Sequence, residues 1–429
     1  MKILFIHPNM PGQYKHLARA FGEENGNEIY FITKNTKAEI PGVARVTFKI
    51  SKQTAKETHR YVQNLSTAVI EGQHVWRVCN DLKNKRGFVP DVILAHPGWG
   101  DALFVKDIYP GVPMLHFCEF YYRPTGADVG FVDPVNEDDL ARVRIKNANG
   151  LLNLECMDWG IAPTYWQWST YPKEFRDRIS VLHDGVDTEI CKPDQNASYT
   201  LQNGKTFKVG DEVVIYIARN FEPYRGFPTF MQAGEILLRQ RPNCHIIAIG
   251  ADDVSYGRKA EDGKPYRQVW LDKVKLPKDR MHFIGTVPYD DLITLIQIGA
   301  AQLYLTMPFV LSWSMLESMA CGAAMVGSRT KPVEEVITDG VNGLLADFHS
   351  PQEVAAKLSQ LLDAKDRNKA LREAARKTVV ERYALNTILP LQMQLVRDLA
   401  KGQVPPAAAR AIEKFNPAAA HANAMWKAD

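Results

Sequence analysis

The chain has 429 residues, 52 Lys and Arg against 49 Asp and Glu, a net charge of +3 and 45% apolar residues. At about 150 residues per domain this makes two to three domains with sizeable cores. The composition excludes a disordered tail protein, a collagen-like fibre and a small disulfide scaffold, and so small a net charge does not mark a nucleic-acid binder.

The chain opens on KILFI, an apolar run of the kind that makes a buried parallel strand. The Pro/Gly loop HPNMPGQ follows, then a helix with Tyr14, Leu17 and Phe21 on one face. No secretory leader is read here, because only four apolar residues separate Lys2 from His7-Pro8. EIYFIT (28–33) is the next strand. Val62, Leu65, Val69, Trp76, Cys79 and Leu82 mark a long amphipathic helix. DVILAH (91–96) and PMLHF (113–117) are strands, 137–157 is helical, and ISVLHDGVD (179–187) is a strand entering a turn. The aromatics Trp159, Tyr165, Trp166, Trp168, Tyr171 and Phe175 suit a sugar or a membrane surface, but packing against a sheet is the preferred reading. The polar stretch around 192–211 reads as a linker. Strands 213–218, 245–250, 281–285, 302–306 and 323–327 then alternate with helices near 227–239, from 289 and from 315.

The 25 uncharged residues from Leu292 to Leu316 would reach across a bilayer. Pro308 and six polar side chains favour a buried helix, strand and loop instead. Six cysteines, at 79, 118, 156, 191, 244 and 321, have no CxxC spacing, so reduced thiols of a cytoplasmic protein are expected. The two runs of alternating strands and helices predict two doubly wound α/β units with parallel sheets. Ligands of such sheets bind at strand carboxyl ends, here in a central cleft between the units.

The first loop has only Gly12, so the GxGxxG of dinucleotide folds is missing, as are a P-loop and a GxSxG elbow. The informative region is 308–343. Between Asp291 and Arg329 the only charged residue is Glu317. Ser314 and Glu317 match a capping box. Alternatively, the carboxylate accepts hydrogen bonds from a ribose while the helix start meets a diphosphate. Arg219 and Arg225, after strand 213–218, are either solvated arginines or a diphosphate clamp.

In this order HDGVDTEICKP, ARNFEPYRGF, HFIGTVPYDDL, LESMACGAAMVGS and DGVNGLL resemble motifs of the retaining GT-B glycosyltransferases of glycosyltransferase family 4. The resemblance runs to about residue 400 and is strongest over 213–348. It implies two Rossmann-like domains: 1–190 on the acceptor side, a linker over 191–212, and a nucleotide-sugar domain over 213–375. A helix over 376–400 would return to the first domain, followed by an Ala/Pro-rich tail over 401–429.

It further implies a retaining, metal-independent transfer of a sugar from a nucleoside diphosphate sugar, with no cofactor. The acceptor would be a glycan or lipid-linked glycan of surface polysaccharide, reached in the cytoplasm or from the inner membrane face. Arg219 and Arg225 would hold the diphosphate, Glu317 the ribose, and Ile284 to Val287 the base. Gly12 would line the approach to the diphosphate. His116 would stand near the transferred sugar, with His96, Glu119 and Tyr121 on the acceptor side. Phe309, Val310, Leu311, Ser312, Trp313 and Ser314 form the loop facing the donor sugar. There the family's first glutamate is replaced by Phe309. A nucleotide-sugar epimerase of the same architecture is one alternative, and a silent nucleotide-sugar-binding subunit, suggested by that loss, is the other.

Overall fold

The computed structural model describes residues 1–50, 53–260, 263–363 and 365–403. Most of the Ala/Pro-rich tail, from 404 on, lies outside the described residues. The chain divides into two units: Met1–Gly185 together with the segment from Asn386 onward, and Val186–Leu385.

The first unit is built on seven parallel strands: β1 (Lys2–Ile6), β2 (Glu28–Thr33), β3 (Ala44–Thr47), β4 (Val92–Ala95), β5 (Met114–Phe117), β6 (Trp159–Ala162) and β7 (Ile179–Val181). Their order is β3-β2-β1-β4-β5-β6-β7. Side chains alternate between two apolar layers, as a pleated strand requires. Ile3, Phe5, Leu94, Leu115 and Phe117 face one cluster, while Leu4, Ile6, Ile93, Ala95 and Met114 face the other. Helix Lys15–Glu23 covers the first layer through Leu17, Ala18 and Phe21. Helix Gln63–Arg86 covers the second through Val75, Cys79 and Leu82. Two positions predicted for the buried face of that helix are not on it. Val62 and Trp76 are exposed, and Glu71 and Gly72 are buried instead. Gly72 sits so close to Gly100 that a Cβ would lie 2.8 Å from its carbonyl oxygen.

Trp159 is a strand residue, and Trp166 and Tyr171 are buried, so the aromatic cluster packs against the sheet. Helix Leu385–Ala400 belongs to this unit's core through Ile388, Leu395, Val396 and Leu399, and Gln392 donates to the His183 carbonyl at 2.8 Å.

The second unit carries a six-stranded parallel sheet: β10 (Val213–Asn220), β11 (His245–Ala251), β12 (Met281–Phe283), β13 (Ala301–Tyr304), β14 (Met325–Ser328) and β15 (Leu344–Ala346). Its order is β12-β11-β10-β13-β14-β15. The stretch expected to be a linker is part of this unit. Within it Ser198–Thr200 (β8) and Thr206–Lys208 (β9) form an antiparallel hairpin. Its polar composition belongs to one face only. The other face buries Phe207 and Leu201 against Val213, Ile215 and Leu295. The boundary expected at 375 also moves. Ala375, Val379 and Tyr383 lie in this unit's core, and the chain leaves it only after Leu385.

The uncharged 292–316 stretch divides among helix Tyr289–Ile298, β13 and the start of helix Trp313–Ala320. Among the described residues no helix is long and apolar enough to cross a membrane.

Candidate functional site

In the second unit, the candidate residues gather at the carboxyl ends of β10 and β13. β10 changes register between Ile217 and Asn220. This irregularity leaves Arg219 exposed on a strand whose neighbouring residues are buried. Arg225 is not a solvated side chain. It is buried, and its Nη1 donates to Thr306 Oγ1 at 2.9 Å. Although burial opposes its charge, Tyr304 and Tyr256 beside it raise the affinity of the guanidinium for its proton. Its guanidinium carbon lies 5.4 Å from the Tyr256 ring centroid.

Tyr256 stands on a turn that sequence reasoning passed over. Glu222, wholly buried, accepts three backbone N–H groups there: Ser255 at 3.3 Å, Tyr256 at 3.0 Å and Gly257 at 2.9 Å. Only the position of Glu222 after a strand could have signalled it.

Phe309 is 6% exposed and meets Tyr256 edge-on at 5.2 Å. Val310 and Leu311 are also buried. The Ser312 N–H donates to Tyr304 Oη at 2.8 Å, and Ser312 is the N-cap of helix Trp313–Ala320. Ser314 is therefore inside the helix. The capping box is incorrect, because the helix begins two residues earlier and Ser312 makes no side-chain cap bond. Ser314 instead pairs with Ser312 through their hydroxyls at 3.0 Å, and Trp313 is 45% exposed. Glu317, on the next turn, accepts from Tyr289 Oη at 2.9 Å. Ile284 and Val287 pack against the cluster of Val213, Ile215 and Ile247. The Ile284 N–H is spent on the Ala248 carbonyl and the Gly285 carbonyl on the Gly250 N–H, so these two groups extend the strand ladder.

In the first unit, His7 and His96 follow β1 and β4 directly, and Glu119 stands two residues after β5. His96 is buried and its Nε2 lies 3.2 Å from Glu119 Oε2. The Gly98 N–H points at His96 Nδ1 at 3.0 Å, which places the proton on Nε2 and makes it the donor to the carboxylate. Gln13 Nε2 donates to Glu119 Oε1 at 3.2 Å. Burial works against the Glu119 charge, but the bonds from His96 and Gln13 hold its carboxyl below the usual range. Its side chain is still 32% exposed.

His116 does not join this group. It pairs with Ala95 across the sheet, on the face opposite to Leu94, Leu115 and Phe117. The period of two along a strand therefore turns it away from His96 and Glu119. It is wholly buried, and burial pushes its pKa down to about 3. Tyr121 also turns aside, to Tyr171 at 5.8 Å. Gly12 has φ +52°, and a Cβ there would lie 2.6 Å from the His7 ring. The glycine thus serves clearance over an imidazole. Among the described residues no group of three His, Cys, Asp or Glu is arranged to hold a metal ion.

Residues 25–191 match the sequence model described as glycosyl transferase family 4 group, and residues 200–378 match glycosyl transferases group 1. The D-inositol 3-phosphate glycosyltransferase of Acidothermus cellulolyticus is 25% identical over 191 residues, 44% of this chain and 41% of that protein. The chain thus spans under half the length of that curated relative. Sucrose-phosphate synthase of Thermosynechococcus elongatus has a similar fold, with TM-score 0.69 and 17% identity over 94% of this chain and all of that one. The Anabaena HepE structure with UDP-glucose gives TM-score 0.66 and 15% identity over 94% of this chain and all of that one. Two parallel-sheet α/β units and two matching family segments make this chain a member of the group 1 glycosyltransferases of family 4, with the GT-B fold.

Proposed function

We propose that the protein transfers a glycosyl group, with retention, from a nucleoside diphosphate sugar to an acceptor hydroxyl. The observation that carries this is the linked set at the end of β10 and β13. Arg225, Tyr304 and Ser312 connect a buried guanidinium to a helix start, one turn before the Glu317 carboxylate. A buried cation and the positive end of a helix stabilise the charge that builds on a departing diphosphate. Both are held before the reaction, so little reorganisation is needed. Arg219 would reach the same diphosphate from solvent, and Glu317 would take the ribose hydroxyls.

Metal independence is part of the proposal, since the two guanidinium groups would supply the countercharge. HepE was solved with UDP-glucose and its UDP complex is similar in fold, which supports a nucleotide-sugar donor. The acceptor would be a glycan or lipid-linked glycan of surface polysaccharide, met in the cytoplasm or at its membrane face.

The test is a thermal-shift panel of nucleotide sugars, followed by product analysis with the donor that binds. A ligand at a hundred times its dissociation constant adds about 2.7 kcal/mol of stability. Nucleoside diphosphate released together with an α-linked product from an α-linked donor supports the reading. An isomerised donor sugar would instead indicate an epimerase. Binding without turnover would indicate a silent subunit, as the burial of Phe309 where the family carries a carboxylate suggests.

A further inference from the structure

Cys191 and Cys321 lie far apart in the sequence, and the fold sets them side by side in the second unit. Their thiols are hydrogen-bonded to each other, and both residues belong to one apolar cluster. Backbone contacts fix the pair from both sides. Arg376 Nη1 donates to the Cys191 carbonyl at 3.0 Å and to the Ala320 carbonyl at 2.6 Å. Past the cysteines, Pro193 lies against Gly322, where a Cβ would come within 3.3 Å of the Pro193 ring. Two thiols held in contact by the chain around them need little movement to join.

Tyr289 is the cover between this pair and water. Cys191 Sγ lies 3.4 Å from Tyr289 Oη, and Tyr289 is 39% exposed. The two thiols are also unequal. The bond with Cys321 first, and that with Tyr289 after it, hold the Cys191 thiol below its ordinary value although burial opposes this. The same bond pushes the Cys321 thiol up. Burial drives the other four cysteines the opposite way from Cys191. It pushes Cys79 and Cys244 up to about 12 and Cys156 up to about 11, and raises Cys118 as well. A readily ionised thiol touching a second thiol is the arrangement of an attacking and a resolving cysteine.

We infer that Cys191 and Cys321 are a reversible redox site, closed to a disulfide by a peroxide and reopened by a thiol reductant. The Cys191 sulfur attacks one peroxide oxygen, the O–O bond breaks, and the hydroxide that leaves takes the thiol proton as water. The Cys321 sulfur then attacks the sulfur of the resulting sulfenic acid. The S–S bond forms, the S–O bond breaks, and the second hydroxide leaves with the Cys321 proton as water. Two thiols and one hydrogen peroxide thus become one disulfide and two waters. The bond staples residues 187–193 to the end of helix Trp313–Ala320. It goes beyond the glycosyl-transfer reading and stands or falls independently of it.

The test uses the full, reduced chain treated with stoichiometric hydrogen peroxide, then alkylated with iodoacetamide and digested without reductant. Mass spectrometry should find the peptides of Cys191 and Cys321 joined and lighter by two hydrogens, and dithiothreitol should separate them. The joined chain should unfold at a higher urea concentration than the reduced one, because the bond closes a long loop in the unfolded state. Cys321→Ser should stop at a Cys191 sulfenic acid, trapped by dimedone, and Cys191→Ser should leave Cys321 unoxidised. If either variant fails to fold, the peptide map of the unsubstituted chain decides alone. Recovery of Cys191 and Cys321 as alkylated thiols, with oxidation confined to the less buried Cys156, overturns the inference. So does a joined pair that dithiothreitol does not reopen, and an equal or lower urea midpoint in the joined chain overturns the staple.

Discussion

Replacing Glu222 with alanine removes the acceptor of three backbone N–H groups at once. Two of these bonds are short, at 2.9 and 3.0 Å, and the third is 3.3 Å. A hydrogen bond to a charged group contributes about 1.5–3 kcal/mol when buried. The turn itself is mostly exposed, and water re-satisfies part of what is lost. About 1 kcal/mol per short bond and less for the long one gives about 2–3 kcal/mol for local opening. Amide hydrogen exchange at Ser255, Tyr256 and Gly257 should then accelerate about 30- to 150-fold. Glu222→Gln keeps one acceptor oxygen. Turned toward Tyr256 and Gly257 it retains both short bonds, so its exchange should change by less than about tenfold. Tyr256 rests on Arg225, so nucleoside diphosphate affinity should fall several-fold in the alanine variant and little in the glutamine variant. Unchanged exchange at these three amides in Glu222→Ala would refute the clamp, whatever the affinity.

Arg219→Ala and Arg225→Ala should each weaken nucleoside diphosphate binding about 10- to 150-fold by calorimetry, the worth of a charge-assisted contact. Only Arg225→Ala should also lower the melting temperature, since it strands Thr306 and Tyr256, and equal melting of the two variants would contradict its buried role. Glu317→Gln should weaken a ribonucleoside diphosphate more than its 2′-deoxy analogue, while Tyr289→Phe leaves the two in their wild-type ratio; equal loss for both nucleotides in Glu317→Gln removes the carboxylate from the ribose.

Acid should destabilise the protein through its buried histidines. His7, His116 and His183 are buried neutral, with pKa values pushed down to about 4, about 3 and about 4. Unfolding frees them to take protons below pH 6.5, so by pH 5 each costs about 2 kcal/mol of stability. Asp101 opposes them, because burial and then Glu71 raise its pKa to about 7 and it gains its proton in the native state first. Asp101→Asn should therefore steepen the loss between pH 7 and pH 5. Urea midpoints that are the same at both pH values, in both proteins, would refute this.

Strand positions were legible because parallel strands buried on both faces read as unbroken apolar runs, as KILFI and HIIAIG do. The hairpin at 198–208 was not, since half its residues face water and only Tyr199, Leu201 and Phe207 betray the alternation. Arg219, Arg225 and Glu317 stood out as charges at strand ends or within an apolar stretch. Their partners did not, because Thr306, Tyr256 and Tyr289 come from other elements and only the fold brings them near. His116 was legible as a strand residue, but its face was not, because the pleat is fixed only by the pairing of Ala95 with His116. His7 was missed for a simpler reason: its setting exists only once Asn9, Gly12 and Gln13 have closed around it.

The helix Leu385–Ala400 completes the core of a unit whose first 185 residues were made long before it. On the ribosome, the 200 residues of Val186–Leu385 must emerge between the two parts. At about 5–20 residues per second, that interval is roughly 10–40 s. Through it, the surface later covered by Ile388, Leu395, Val396 and Leu399 stands open, and the intervening unit is free to fold as one uninterrupted stretch. A nascent chain stalled before residue 386 should then carry a finished second unit and a sticky first one. Newly made protein is thus most prone to chaperone capture just before helix Leu385–Ala400 is released.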